Sequence, residues 1–279
     1  MNQTISPAEP HIDFRAILKE KHLDLPRWAV SLLERILRVE RINQALHDTR
    51  DYQGIELAQQ LIEWLRIKLN VVAEEHIPTD GSPIFVANHP LGGPDGLALI
   101  AAIGRKIPDV KVPVNDFLMA MPGLSQLFIP IDKVHKNGRN LGSLTEVFAA
   151  QTPLLYFPAG TCSRLVHGKV QDLTWHATVV KQAVRNARPI VPIHFNATNR
   201  RRFYVLARLR KALGIKFNIE MALLPAEMFA HEGDSITMTI GQPIQAAQFT
   251  PQHSFKEWAE QLRQHVYKLE KNPAAPFTA

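Results

Sequence analysis

Cysteine is almost missing from this sequence. Cys162 stands alone, so no intramolecular disulfide is available and the chain suits a reducing compartment. Long apolar runs are missing as well. No stretch reaches the roughly eighteen uncharged apolar residues that a spanning helix needs, so any meeting with a membrane is expected at its surface. Residues 1–10 lack a basic segment followed by an apolar run, so no signal peptide is expected. The twelve histidines show no His-Glu-x-x-His or comparable ligand spacing. No metal is therefore expected, and His167, His176 and His194 read as structural or surface residues. There is no internal repeat, low-complexity tract, zinc module, RNA-binding aromatic motif or helix-turn-helix, and no nucleic-acid partner is expected.

What is present suits a globular enzyme. The 279 residues allow one sizeable core, or one core with a small appendage. Apolar residues make up 46% and charged residues 21%, which argues against wholesale disorder. Thirty-two Lys and Arg against 26 Asp and Glu leave a net +6. That excess suits an anionic partner: a membrane surface, a phosphorylated substrate, an acidic carrier protein or nucleic acid.

Residues 1–26 read as a polar lead-in with a short helix near 14–18. Trp28, Leu32, Leu33, Ile36, Leu37 and Val39 follow at helical spacing, with arginines between them. A second helix is predicted over about 55–71, with Leu57, Leu61, Ile62, Leu65 and Leu69 on one face. The pair forms a candidate hairpin. It either packs on the main core or lies in a lipid interface, where Trp28 and Trp64 would sit at headgroup level.

From about residue 83 short apolar runs alternate with helical patterns. Strands are predicted at 84–87, 110–114, 128–131, 154–157, 190–195 and 235–240, with helices near 96–104, 141–150 and 175–186. This alternation predicts an α/β domain with a largely parallel sheet. An amphipathic helix over 255–269 closes the domain, and 272–279 reads as a loose tail. The expected division is an N-terminal helical region over 1–72, a catalytic α/β domain over 73–250, and a C-terminal helix and tail over 251–279.

The segment Ile84-Phe85-Val86-Ala87-Asn88-His89-Pro90-Leu91-Gly92-Gly93-Pro94-Asp95-Gly96 carries the chemistry. A buried strand ends, His89 follows at once, and a tight Gly- and Pro-rich turn leads to Asp95 at a helix start. In open α/β sheets reactive groups sit beyond the carboxyl ends of strands. If the turn folds back, Asp95 accepts a hydrogen bond from one ring nitrogen and leaves the other as a proton acceptor, which can deprotonate a hydroxyl or amine. The plain alternative is a His in a turn and an Asp capping a helix. A second strand runs into Phe157-Pro158-Ala159-Gly160-Thr161-Cys162-Ser163-Arg164, whose turn N–H groups form a ready anion site. Then come Ile190-Val191-Pro192-Ile193-His194 and, later, Gly241-Gln242-Pro243-Ile244.

The order of these four blocks resembles the glycerolipid acyltransferase family, enzymes that make phosphatidic acid from lysophosphatidic acid. The resemblance spans about residues 55–270. It implies an acyltransferase sheet flanked by helices, with His89 and Asp95 catalytic. It also implies a substrate site at Asn88, Gly92, Gly93, Pro158, Gly160, Thr161, Ser163 and Arg164. A weaker match at Leu127-Phe128-Ile129-Pro130-Ile131-Asp132-Lys133 adds Lys133, where the family has a phosphate-contacting Arg. The implied enzyme needs no cofactor. Its acyl chain arrives as a thioester on acyl carrier protein or coenzyme A, its acceptor is a lipid, and it works peripherally at the cytoplasmic face of the membrane.

Three departures refine the expectation. Five residues, not four, separate His89 from Asp95. The Asn-His-Pro-x-Gly-Gly-x-Asp-Gly form resembles a subgroup that acylates amino-acid lipids and includes proteins labelled hemolysin-like. Ala159 and Cys162 stand where the family has Glu and a phosphate-holding Arg, with Arg164 as a partial substitute. The expected acceptor is therefore a lyso-amino-acid lipid, with 1-acylglycerol 3-phosphate as the alternative and a non-catalytic lipid-binding protein as the alternative of another class. The Gly160 turn lacks the second Gly of a nucleophile elbow, so Cys162 reads as a buried inert thiol. Residues 199–216 hold seven basic and no acidic residues. Phe203, Leu206, Leu209 and Leu213 add an apolar stripe there, which favours docking on lipid or on a carrier protein.

Overall fold

The computed structural model of the chain describes residues 11–20, 22–114, 116–119, 121–130, 144–216 and 218–278. Lys133, Ile131 and residues 141–143 of a predicted helix lie outside the described residues, as do residues 1–10 and 279.

A five-stranded sheet organises the fold. Its strands are β1 (Lys68–Val72), β2 (Ile84–Ala87), β5 (Leu154–Tyr156), β8 (Ile190–Asn196) and β9 (Ser235–Ile240), in the order β1-β9-β8-β2-β5. β8, β2 and β5 run parallel, and β1 runs parallel to β9. β9 lies antiparallel to β8, so the sheet is parallel-rich with one reversal. Two small pairs flank it: β3 (Val112–Val114) beside β4 (Phe128–Pro130), and a hairpin of β6 (Arg164–Val166) and β7 (Lys169–Gln171). His167 and Gly168 turn that hairpin, both at positive φ, as a tight two-residue loop requires.

The helices are α1 (Phe14–Glu20), α2 (Arg27–Ile36), α3 (Val39–Asp48), α4 (Gly54–Trp64), α5 (Gly93–Gly104), α6 (Asp116–Met119), α7 (Leu144–Ala149), α8 (Thr178–Arg185), α9 (Arg201–Ala212), α10 (Leu224–Ala230) and α11 (Phe255–Lys268). Alternate residues of the central strands feed opposite faces of the sheet. Phe85, Ala87, Leu155, Val191 and Ile193 join the core with α4 and α5. Ile84, Val86, Leu154 and Tyr156 join the core with α8 and α11. Because both faces are covered, β2 is wholly buried and its sequence is continuously apolar. α5 is apolar almost all round and correspondingly buried. A third, smaller cluster sets Phe203 and Tyr204 of α9, with Met221, Leu223 and Leu224, over Cys162. It forms a lid on the Gly160 turn.

The sequence reading needs correction in four places. The helix predicted over 55–71 ends at Trp64, because Arg66 takes a left-handed backbone conformation (φ 51°) and Lys68–Val72 then pairs with β9. Leu69 therefore belongs to an edge strand of the sheet. The first predicted helix is two, α2 and α3, divided at Arg38 (φ 55°). The 203–213 stripe splits, with Phe203 buried in the lid and Leu209 and Leu213 exposed. The 272–279 tail is not loose along its length: Ala275 is buried and Phe277 packs on Phe249, Trp258 and His265. Among the described residues no helix is long and apolar enough to cross a membrane.

Candidate active site

β2 delivers Asn88 and His89 to the carboxyl end of the sheet. Asn88 is buried and clasps the neighbouring strand: its Nδ2 donates to the Phe195 carbonyl (3.0 Å) and its Oδ1 accepts from the Phe195 N–H (2.7 Å). The chain then turns back on itself through Gly92. That residue sits at φ 90°, and a Cβ there would lie 3.2 Å from Leu224 and 3.3 Å from the Cys162 sulfur. Only glycine meets both the backbone and the space requirement. Gly93, exposed, opens α5.

Asp95, in the first turn of α5, has no solvent exposure. Its Oδ2 accepts from the Leu91 N–H (2.8 Å) and its Oδ1 from the Gly96 N–H (3.0 Å). Oδ1 also lies 3.1 Å from His89 Nδ1. The His89 ring stacks on Phe157, centroids 4.0 Å apart, and remains 19% exposed. Burial disfavours its charged form, but the Asp95 carboxylate and the Cys162 side chain outweigh that and hold its pKa well above the usual imidazole value. With Nδ1 turned to Asp95, Nε2 is the nitrogen left to accept a proton from a substrate.

The second block wraps the same point. Gly160 is exposed at φ 64°, while Pro158 is buried and its carbonyl accepts from the His176 N–H (3.0 Å). The Gly160 N–H goes to the Phe157 carbonyl (3.0 Å) and the Ser163 N–H to the His89 carbonyl (2.7 Å). Arg164 directs its guanidinium to Glu220, 2.9 Å away, and reaches the Thr161 hydroxyl at 3.4 Å. The structure thus brings together Asn88, His89, Gly92, Asp95, Thr161, Cys162, Ser163 and Arg164. His194 stands apart on the α11 side of β8, its ring edge against Tyr267, with its pKa pushed down to about 4 by burial.

Two residues that the motifs did not reveal hold this site together. Asp172, just past β7, is buried and accepts from the His89 N–H (3.1 Å), the Ser163 hydroxyl (2.6 Å) and the Trp175 indole N–H (2.8 Å). Burial pushes its carboxyl pKa up against the pull of those donors. It ties the two blocks to each other. Asn199 donates from Nδ2 to the Pro90 carbonyl (3.1 Å) and so anchors the other side of the His89 turn. Neither carries a local signature, since a single Asp after a hairpin and a single Asn before a helix are ordinary punctuation.

An imidazole backed by a buried carboxylate thus stands at the carboxyl end of the sheet, an arrangement able to take a proton from a nucleophile. The model of an acyltransferase family matches residues 16–275, and the chain belongs to that family. It is an acyltransferase, as the four blocks predict. Among its relatives are two proteins named lyso-glycine lipid O-acyltransferase. The one from Bacteroides thetaiotaomicron is 38% identical over 92% of this chain and 97% of its own length. The one from Phocaeicola vulgatus is also 38% identical, over 92% of this chain and 95% of its own. In fold, the chain is similar to the crystal structure of the 1-acyl-sn-glycerophosphate (LPA) acyltransferase PlsC from Thermotoga maritima. The match has a TM-score of 0.51 at 16% identity and covers 94% of this chain and 90% of that one.

Proposed function

We propose that this acyltransferase esterifies the free hydroxyl of a lyso-amino-acid lipid with a fatty acyl chain taken from a thioester of acyl carrier protein or coenzyme A. The observation that carries the reading is the His89–Asp95 pair, 3.1 Å apart at the end of β2. The relatives named for lyso-glycine lipid supply the acceptor class. His89 Nε2 removes the hydroxyl proton as the oxygen attacks the thioester carbonyl, and Asp95 stabilises the imidazolium that forms. The proton then passes to the leaving thiolate. The Gly160 and Ser163 N–H groups are committed within the fold, so among the described residues of the turn the oxyanion is met from the remaining N–H groups, those of Ala159, Thr161 and Cys162. The acceptor is reached from a membrane surface on which the protein docks.

The test supplies purified protein with lyso-glycine lipid and lysophosphatidic acid in equal amounts, with each thioester donor in turn. Preferential O-acylation of lyso-glycine lipid is expected. His89→Ala should remain folded and lose at least about 100-fold in kcat, the ordinary worth of a general base. Preference for lysophosphatidic acid, or near wild-type turnover in folded His89→Ala, would defeat the proposal.

A further inference from the structure

Among the described residues, Arg164 brings a guanidinium to the Gly160 turn, and that group is already engaged. One Nη donates to the carbonyls of Cys162 and Ser163, and the other meets Glu220 Oε1 at 2.9 Å. Its guanidinium lies over the Phe203 ring, 5.2 Å from the centroid. Glu220 comes from the far side of the lid, in the 3-10 turn Ile219–Leu223, and has no solvent exposure. Its second oxygen lies 2.9 Å from Arg210 Nε of α9. The two arginine side chains are themselves only 11% and 18% exposed. A carboxylate this deeply buried persists in a fold only when it is paired. Here each oxygen faces one arginine, Arg164 of the turn and Arg210 of α9.

A terminal phosphate is a compact anion of up to two charges and needs a charge-assisted partner where it docks. An acceptor without a phosphate has no such need. We propose that Glu220 is a specificity-determining residue: by occupying Arg164 it withholds from a phosphate-bearing acceptor the cation beside Thr161. The inference rests on the lysolipid reading above and extends it to the residue that excludes phosphate. On this proposal Arg164, although close to the turn, does not stand in for the phosphate-holding Arg that the family resemblance puts at position 162. Cys162 offers a phosphate no cation, and Arg164 is engaged from the lid.

The experiment compares kcat/KM for lysophosphatidic acid and lyso-glycine lipid, each presented in mixed micelles, using the full chain. Wild-type protein is measured first. If it fails to acylate lyso-glycine lipid, the functional reading falls, whatever the variants do. Glu220→Gln keeps the shape of the side chain and releases both arginines. It should raise the ratio of lysophosphatidic acid to lyso-glycine lipid by about tenfold or more, the modest end of what a close charge pair contributes. Glu220→Gln/Arg210→Gln removes the second cation that the single variant leaves unpaired in the lid, and should show the same gain with a sounder fold. Glu220→Gln/Arg164→Gln should lose the gain. An unchanged ratio in either folded variant that keeps Arg164 would overturn the proposal, as would a gain that survives loss of Arg164. One measurement needs no variant. Lysophosphatidic acid should inhibit the wild type only weakly against lyso-glycine lipid, and an inhibition constant as low as the KM of the favoured acceptor would also overturn it.

Discussion

At the scale of single residues, His89 is governed by two opposed influences. Burial lowers its proton affinity, while Asp95 and then Cys162 raise it further than burial lowers it. A base must be neutral to act, so with His89 in the role proposed above the acid limb of kcat/KM reports the pH at which it loses its proton in the free enzyme. The raised value moves that limb upward, and activity should climb with pH through a point clearly above the usual imidazole value of about 6.5. Asp95→Asn removes the larger favourable influence and the correct orientation together. Its limb should move to lower pH while its plateau falls steeply. Cys162→Ala removes only the smaller influence from a buried position next to Gly92. Its limb should move down with most of the plateau retained. A pH profile in which neither substitution moves the limb would separate His89 from the titrating group. The approach of His89 to Asp95 was legible in the sequence because a buried strand that runs into a Gly- and Pro-rich turn and then a helix leaves a local pattern. Asp172, Asn199 and Glu220 were not, because the partners that bring them to this site, His89, Pro90 and Arg164 in turn, lie far along the chain.

At the scale of elements, strands buried on both faces were the easiest to read. Ile84–Ala87 is a continuous apolar run and Ile190–Phe195 is interrupted only by His194, and both stand in the sheet where the alternation put them. β1 was hidden for a physical reason. As an edge strand it is only half-buried, its Lys68 and Asn70 are polar, and Leu69 continues the helical spacing of Leu61 and Leu65. The break is made by the backbone of Arg66, a residue type with no preference for positive φ. The amino ends of the strands are pinned by a residue that composition gives no reason to notice. Arg188 is almost wholly buried, and its guanidinium donates to the carbonyls of Ser82, Phe148, Thr152 and Pro83. One side chain thereby ties the approach to β2, the end of α7, the approach to β5 and the start of β8. Burial lowers its pKa to about 10, and the carbonyl dipoles stand in for a counter-ion, since no carboxylate among the described residues pairs with it. Arg188→Met keeps the volume and abandons four carbonyls. It should cost on the order of 3 kcal/mol in urea unfolding, the penalty for buried polar groups left without partners. A loss below about 0.5 kcal/mol would mean that the strand ends do not depend on it.

At the scale of the whole molecule, two segments are left with apolar side chains in solvent and cations among them. α2 buries only Val30 and exposes Trp28 (71%) and Leu32, and Leu23 and Leu25 are exposed just before it. α9 and its continuation expose Val205, Leu209, Leu213 (73%), Ile215 and Ile219, with Arg201, Arg208, Lys211 and Lys216 also exposed and no acidic residue among them. Such faces fit an anionic bilayer surface, where each cation near the headgroups contributes about 1 kcal/mol and each leucine that enters the interface adds apolar burial. The chain should float with vesicles containing phosphatidylglycerol at low salt, bind phosphatidylcholine vesicles weakly, and be largely released at high salt as the charges are screened. Deleting the first 54 residues is a poor probe of this attachment. α3 buries Ala45 and Leu46 in the body of the fold, Arg41 pairs with Glu232 at 2.9 Å, and Asp48 accepts from the Trp64 indole at 2.9 Å. Substitutions at the exposed positions leave those contacts intact. Leu209→Glu/Leu213→Glu and Trp28→Glu should each weaken flotation without lowering the urea midpoint, and the three substitutions together should abolish it. If the protein fails to float at low salt, or floats equally well with all three substitutions, the acceptor must be delivered to His89 by a route other than docking of these two faces.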